Sequence, residues 1–425
     1  MEHLKWLMPG MKIKRWIALI VLGVLLFGLG ITIILNTKFL SALEKNILAL
    51  ASDIFSDKHW LFGIVIIGLG IYCIYIGMKY IIRSIVETLS PTEVDDLINT
   101  IYRKRSLQKG PHIVVIGGGT GLSTLLRGLK LYSSNITAIV TVADDGGSSG
   151  KIRDELGILP PGDIRNTLVA LADTEPLMER LFQYRFSWGE GLSGHSFGNL
   201  FIAAMTDITG DFETAIREFG KVLAVGGMVL PSTLETVRLK AVYADGSEII
   251  GESKIPQVGK SIEAISLVPQ YIEPLPEALK AIASADLIVL GPGSLYTSII
   301  PNLLVNKISE ALVNSQALKV YVCNVMTQPG ETDNMSAGDH IRAIFKHTGQ
   351  RKIFDYVLLN NARLTASQAR KYSAQNSCPI KLDLEQVKQL GVIPVCAPLL
   401  DQSALVRHDS AELARELIKL ILKTW

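Results

Sequence analysis

Three times in this chain an apolar, strand-like run stops at a cluster of glycines and small polar residues, and each time a helical pattern follows. The runs are 112–116 into Gly117-Gly118-Gly119-Thr120-Gly121, 136–142 into Ala143-Asp144-Asp145-Gly146-Gly147, and 287–290 into Gly291-Pro292-Gly293-Ser294. Strand, tight loop and helix in that order build an open parallel sheet covered by helices, whose strand carboxyl ends share one rim. Ligands bind on that rim where the strand order reverses. Glycines there let a phosphate approach backbone N–H groups, and the helix N-terminus that follows favours an anion. A nucleotide or other phosphorylated ligand is expected.

The first hundred residues obey a different constraint. Residues 16–35 carry no charge and as a helix would be about 30 Å long, the thickness of a hydrocarbon core. Residues 60–78 form a second such run. The chain's mean hydropathy of +0.31 is high for a soluble protein, and the excess lies here. The pattern predicts a two-span membrane hairpin over 1–89, a linker over 90–110 and a nucleotide-binding domain over 111–425. A cleaved signal peptide fits poorly, because a second span follows and no small-residue cleavage site succeeds the first. Lys5, Lys12, Lys14 and Arg15 precede the first span, while Lys79, Arg83, Arg103, Lys104, Arg105 and Lys109 follow the second. These cations place both ends on the cytoplasmic side of the cell (inner) membrane. Apolar residues at helical spacing over 39–54 predict an amphipathic connector at the outer interface.

The whole chain carries 42 Lys and Arg against 40 Asp and Glu. Residues 1–110 hold 13 of the cations and 8 of the acids, so 29 cations face 32 acids in the rest, a net charge of −3. Nucleic-acid binding, which needs a basic face, is disfavoured. Cys73, Cys323, Cys378 and Cys396 show no zinc or redox spacing, which suits a reducing compartment.

From residue 110 the order reads strand, loop, helix (122–132), strand, loop, helix, followed by a mostly helical middle over 162–223 in which Asp211 and Thr214 signal a helix start. Residues 237–243 and 248–250 flank Asp245-Gly246 as an antiparallel hairpin inserted at a sheet edge. Parallel order then resumes with a helix at 275–283, strand 287–290, a helix from about 306, strand 320–325, helix 337–347, strand 354–359, residues 391–397 and a final helix from 411. The fold class is therefore α/β, with a Rossmann-like, mostly parallel sheet preceded by two transmembrane helices.

The motifs on the rim carry the chemistry. Gly117 to Gly121 offers bare N–H donors and Thr120 as a hydroxyl donor or cap. It misses the dinucleotide fingerprint, because Leu122 stands where Gly or Ala is needed, and no Lys-Ser/Thr follows as in a P-loop. NAD is therefore not expected. Asp144 and Asp145, at the end of the next strand, suit a divalent metal or ribose hydroxyls, and Gly146 to Lys151 continues as a further phosphate-like loop. Asp163, Arg165 and Asn166 follow a Pro-Pro-Gly turn, where Asp163 caps a helix or Arg165 meets an anion. His195 and Asn199, bracketed by glycines, serve structure or acid–base and hydrogen-bonding roles. Gly291, Gly293, Ser294 and Thr297 form a second phosphate cradle. Asn324, Thr332 and Asn334 after one strand, and Asn360 after the next, place amides and hydroxyls suited to bases and sugars on the same rim.

Taken together, Gly-Gly-Gly-Thr-Gly-Leu, Val-Ala-Asp-Asp-Gly-Gly-Ser-Ser-Gly, Pro-Pro-Gly-Asp-Ile-Arg-Asn, Gly-His-Ser-Phe-Gly-Asn-Leu, Leu-Gly-Pro-Gly-Ser-Leu-Tyr-Thr-Ser and Asn-Val-Met-Thr-Gln-Pro-Gly-Glu-Thr-Asp resemble the gluconeogenesis factor (YvcK-like) family, which is related to the 2-phospho-L-lactate transferases (CofD-like). The resemblance spans nearly all of 111–425. It implies a Rossmann-like core, binding of a UDP-sugar or other nucleotide, and regulation of cell shape and wall synthesis on gluconeogenic carbon sources. It leaves the oligomeric state open, a homo-oligomer included. The transferase branch implies the alternative, an enzyme using a nucleotide diphosphate donor and Mg2+, with metal at Asp144 and Asp145. The segment from Gly194 to Asn199 departs from that branch and favours the regulatory reading. The membrane hairpin is a second departure, from the family's typical cytosolic members.

Overall fold

The computed structural model describes residues 14–35, 59–89, 97–173, 176–401 and 405–424, so Lys5, Lys12, the predicted connector 39–54 and the first part of the predicted linker, 90–96, lie outside the described residues. The chain divides into two compact units, Met1–Lys104 and Arg105–Trp425.

In the first unit, α1 (Lys14–Leu35) and α2 (His59–Leu89) pack along one another. Both are long and apolar enough to cross a membrane. Their outer faces leave Val21, Leu25, Val65 and Tyr75 exposed. A glycine seam sets the close approach: a Cβ on Gly23 would stand 2.7 Å from the Gly70 carbonyl oxygen, and one on Gly30 2.8 Å from that of Gly63. Small residues at such a seam let backbones touch where no hydrophobic effect drives association. Trp16 stacks on Tyr80 at 4.2 Å.

Helix α3 (Leu97–Gln108) runs across the boundary between the units, and the second unit continues with β1 (Ile113–Gly117), α4 (Gly119–Leu129), β2 (Ile136–Val140), α5 (Gly147–Leu156), α6 (Gly162–Leu171), α7 (Pro176–Gln183), α8 (Phe197–Thr209), α9 (Phe212–Val222) and β3 (Met228–Pro231). Next come β4 (Arg238–Tyr243), β5 (Glu248–Ile250), a 3-10 helix (Glu252–Val258) and β6 (Ile262–Val268). The remainder is α10 (Pro276–Ala283), β7 (Leu287–Leu290), a π-helical turn (Leu295–Ile299), α11 (Ile300–Leu304), α12 (Ile308–Asn314), β8 (Leu318–Val322), α13 (Ala337–His347), β9 (Tyr356–Asn360), α14 (Ala366–Ser373), α15 (Leu384–Gln389), β10 (Ile393–Ala397) and α16 (Ser410–Thr424).

Seven strands form one parallel sheet in the order β10-β9-β8-β7-β1-β2-β3. Every residue of β1 and β7 is buried, because helices cover both faces of the sheet centre. In α4 the apolar stripe Leu122, Leu125, Leu126 and Leu129 is fully buried, and the helix packs beside α6 and α16. Asp211 caps α9 as its sequence predicts, accepting the Thr214 N–H at 2.7 Å.

Several boundaries differ from expectation. The first helix starts at Gly119 rather than 122, since N–H groups of a first turn need no intrahelical partner and the loop's last glycine can join it. β3 went unread because its four residues end at Pro231 with no glycine stop after them. The antiparallel excursion is not an edge of the main sheet. Its hairpin joins β6 in a separate three-stranded sheet, order β5-β4-β6.

Candidate functional site

The strand order reverses beside β1. The chain runs outward through β2 and β3, then returns to β7 on the other side of β1 and runs outward again through β8, β9 and β10. All three glycine corners therefore lie at carboxyl ends of neighbouring parallel strands, on one rim. Outside the β1, β7 and β8 ends lies a cleft of 330 Å³. It is lined by Thr120, Gly121 and Thr124 of α4, by Pro292, Gly293 and Ser294, by Asn324, Val325, Met326 and Gln328, and by Val406, Arg407 and His408. A groove of 400 Å³ elsewhere, floored by Leu168, Ile216 and Met228, pairs its own charges, Glu213 and Arg217, at 2.6 Å.

Two loops fuse to make the cleft floor. Gly119 has φ of +68°, and a side chain at Gly121 would collide with the Pro292 carbonyl oxygen. A Cβ on Gly293 would meet the Gly118 carbonyl at 3.1 Å, and one on Gly291 would meet Leu122 at 3.0 Å. The Asn302 amide donates to the Gly117 carbonyl at 3.1 Å. Asn324 grips Gly293 by both ends, accepting its N–H at 3.1 Å and donating to its carbonyl at 2.7 Å. The Ser294 hydroxyl donates to Gln328 at 2.7 Å, and Gln328 donates to Glu331 at 2.6 Å. Thr297 donates to the same carboxylate at 3.3 Å. These side chains hold the cradle in shape, while Asn302 Oδ1 and Glu331 Oε2 are buried without a hydrogen-bond partner among the described residues.

Thr120 is not a cap: Gly118 holds the N-cap position and Thr120 lies in the first turn. Asp163 does not cap its own helix α6 either. Its carboxylate accepts a hydrogen bond from the Gly119 backbone, and a Cβ on Gly118 would touch its Oδ2 at 2.5 Å. Burial, with the Asp144 charge beside it, pushes Asp163 up to about 7. Glu252 rises to about 8 through burial and the charges of Asp144 and Asp145. Burial also raises Glu331 to about 7. The rim thus holds a group of carboxyl groups that repel one another and carry protons near neutrality.

Asp145 has a different task from its neighbour. Its Oδ2 and Oδ1 accept the backbone N–H groups of Glu252 at 3.0 Å and Ser253 at 2.8 Å, which ties the 3-10 helix of the inserted sheet to the rim. Among the described residues Asp144 accepts only the Gly146 N–H, at 2.9 Å, and its other oxygen faces Gly162. Among the described residues no three His, Cys, Asp or Glu side chains are arranged to hold a metal ion.

Arg165 and His195 sit behind the rim. Arg165 is buried, donating to the Ser196 hydroxyl and, at 2.7 Å, to Asn166. Burial lowers its pKa. The Ser148 hydroxyl accepts from the Ser196 N–H at 3.3 Å and from the Asn199 amide at 3.2 Å. Its own proton is then left for His195 Nδ1, 3.2 Å away, which places the ring proton on Nε2. His195 and Asn199 are thereby spokes of a buried hub that joins α5 to α8. Nearby Arg153 is buried with both terminal nitrogens lacking a hydrogen bond. Thr332 is buried and accepts the Gln328 N–H at 2.8 Å. Asn334 is exposed with φ of +59°. Asn360 is spent on the Ala362 and Leu399 backbone.

Sequence reasoning missed Glu252, Ser148, Arg153, Arg407 and His408. Glu331 stood inside a motif already singled out, and Ser148 inside the loop after Asp145, but the other four carry no local signature.

The family model for the 2-phospho-L-lactate transferase CofD matches residues 113–400. A protein of Nostoc sp. described as a putative gluconeogenesis factor is 52% identical over 423 residues, covering 98% of this chain and 92% of its own length. The gluconeogenesis factor of Bacillus subtilis is 51% identical over 312 residues, 73% of this chain and 98% of its own. The chain belongs to the gluconeogenesis factor family. A crystal structure of a Bacillus halodurans protein matches with a TM-score of 0.71 at 51% identity, covering 73% of this chain and 100% of that one. A second structure of that protein, described as a member of the UPF0052 family, matches equally, with a TM-score of 0.71 at 50% identity. The 98% coverage against the Nostoc relative carries the likeness through the N-terminal unit, so the apolar hairpin is no peculiarity of this chain.

Proposed function

We propose that this family member is a membrane-tethered, cytoplasm-facing regulator that binds a UDP-sugar or another nucleoside diphosphate at the first turn of α4. The observation that carries the reading is the cleft at the strand-order reversal, where a glycine-started helix N-terminus meets a second glycine loop. The diphosphate lies against Thr120 and Gly121, and the nucleoside or sugar extends toward Met326 and His408. The two N-terminal helices anchor the domain, and Lys14, Arg15, Lys79 and Arg83 keep it on the cytoplasmic side. A role in gluconeogenic growth follows the name of the Bacillus subtilis relative. A role in cell shape and wall synthesis extends that reading, since UDP-sugars supply wall precursors at the same membrane face.

A thermal-shift screen of the full chain against UDP, UDP-sugars, GDP and NAD tests it. UDP-containing ligands are expected to raise the melting temperature. Stabilisation by NAD alone would overturn the reading.

One observation favours a second reading, a 2-phospho-L-lactate transferase-like enzyme with a nucleotide diphosphate donor and Mg2+: the carboxyl group of the rim, within a match to that transferase's family model. The oxygen-only donors Asp144 and Asp163 suit a hard divalent cation, which would neutralise their repulsion, whereas Asp145 is committed to the 3-10 helix. A turnover assay with GDP- and UDP-linked donors separates enzyme from regulator.

A further inference from the structure

One flank of the cleft differs in charge from the rest of its domain. Residues 111–425 carry 29 cations against 32 acids, yet between Asp355 and Asp383 no acidic residue occurs and four cations do: Arg363, Arg370, Lys371 and Lys381. All four are exposed. Among the described residues none of them forms an ion pair, whereas several exposed cations elsewhere are neutralised, Lys260 by Asp245 at 2.6 Å and Lys307 by Glu273 at 3.0 Å. Arg370 turns only its Nε back onto its own helix, to the Ala366 carbonyl at 3.3 Å.

This segment is fastened to the cleft at three places. The Tyr372 hydroxyl of α14 accepts the Val406 N–H at 3.0 Å, Pro379 bridges Met326, and the Ile380 N–H donates to the Val325 carbonyl at 3.0 Å. Val325, Met326 and Val406 all line the cleft. Lys371 Nζ stands 5.9 Å from the centre of the Tyr372 ring, so the ring that reaches the cleft wall also carries an ammonium group. The unpaired cations are thereby held beside the cleft rather than scattered over the surface.

We propose that segment 361–382, with α14 at its centre, is an electrostatic collar that draws nucleoside diphosphates from solution into the cleft and makes no contact with them once they are bound. The inference rests on the reading of this cleft as a nucleoside diphosphate site, and adds to it the side from which the ligand enters. Asp163, with the Asp144 charge near it, lies beside Gly118 at the start of α4, and there an approaching anion meets repulsion. The collar supplies the attraction that offsets it. Charges at the edge of a site change the association rate and its salt dependence, whereas contacts in the bound state change dissociation. Because the collar side chains are solvated, their field reaches about 30 Å at 0.01 M salt and shrinks to about 3 Å at 1 M.

Stopped-flow mixing of the full-length chain in detergent with mant-UDP, a fluorescent ester of UDP, tests this. The triple variant Arg363→Gln, Arg370→Gln, Lys371→Gln changes exposed positions only. At about 0.02 M salt its association rate constant is expected to fall about fivefold, with the difference lost at about 0.5 M salt and the dissociation rate unchanged. The double variant Arg370→Glu, Lys371→Glu reverses the local field and is expected to associate more slowly than Arg370→Gln, Lys371→Gln under the same low-salt condition. Wild-type association rates in the triple and the charge-reversed variants at low salt would overturn the collar while the binding function stands. So would a loss carried by faster dissociation that persists at high salt, the mark of a direct contact with the bound ligand. Failure of the wild-type chain to bind mant-UDP at any salt concentration would instead overturn the binding function, and the collar with it.

Discussion

Asp163 sits enclosed beside Asp144, and burial together with that neighbouring charge pushes its pKa up to about 7. Glu252 and Glu331 are raised to about 8 and about 7. The native state therefore holds protons that the unfolded chain has released, so these groups stabilise the fold at low pH and that contribution is lost as pH rises to about 8. His408, pushed down to about 4, acts in the opposite direction up to its unfolded value of 6.5. Between about pH 6.5 and 8 the acids act alone, and the melting temperature is expected to fall across that window. Asp163→Asn, which still accepts the Gly119 N–H, should flatten the fall and raise the melting temperature at pH 8.

Asp145 and Asp144 are adjacent in sequence but separable by mutation. Asp145→Ala removes the acceptor for two backbone N–H groups at the start of the 3-10 helix. Urea unfolding should report a loss of about 2 kcal/mol, the size expected for hydrogen bonds to a charged group. Asp144→Asn relieves repulsion instead and should stabilise the metal-free protein at pH 8.

The hub at Ser148 makes a sharper case. Ser148→Ala strips hydrogen bonds from His195, Asn199 and the Ser196 N–H, all buried. A cost of about 1–3 kcal/mol in denaturant unfolding is expected. His195→Gln, whose amide oxygen can accept the Ser148 proton, should recover much of the stability lost in His195→Ala if the histidine is structural.

Gly121 is where the two cradle loops touch. Gly121→Val drives a side chain into the Pro292 carbonyl. Overpacking of this kind costs about 1–3 kcal/mol. Because the collision lies in the cleft floor, UDP binding should be lost even at temperatures where circular dichroism reports a folded chain.

The fold was largely legible because three rim segments pair an apolar run with a glycine stop. Strand 287–290 and helix 337–347 coincide with their predicted limits, the former bounded by Gly291 and the latter by the Ser336 capping box. β3 was invisible: its short run has no glycine stop after it, and its pairing with β2 is a tertiary fact. The site was legible as a location more than as a set of roles. Asn324 and Asn360 read as ligand-facing amides, yet both are satisfied by backbone. Asn side chains after a strand serve loops and ligands equally well, and sequence does not say which. Glu252 and His408 reach the rim only because the inserted sheet and the C-terminal segment fold back onto it, across separations no local pattern records.

The central claim is that a nucleoside diphosphate binds where α4 begins. Hydrogen–deuterium exchange of the full-length protein with and without saturating UDP tests it most directly. Protection confined to residues 118–124, 291–298, 324–328 and 406–408 is the predicted result. Protection centred on the groove around Leu168 and Met228, or none anywhere, would contradict it.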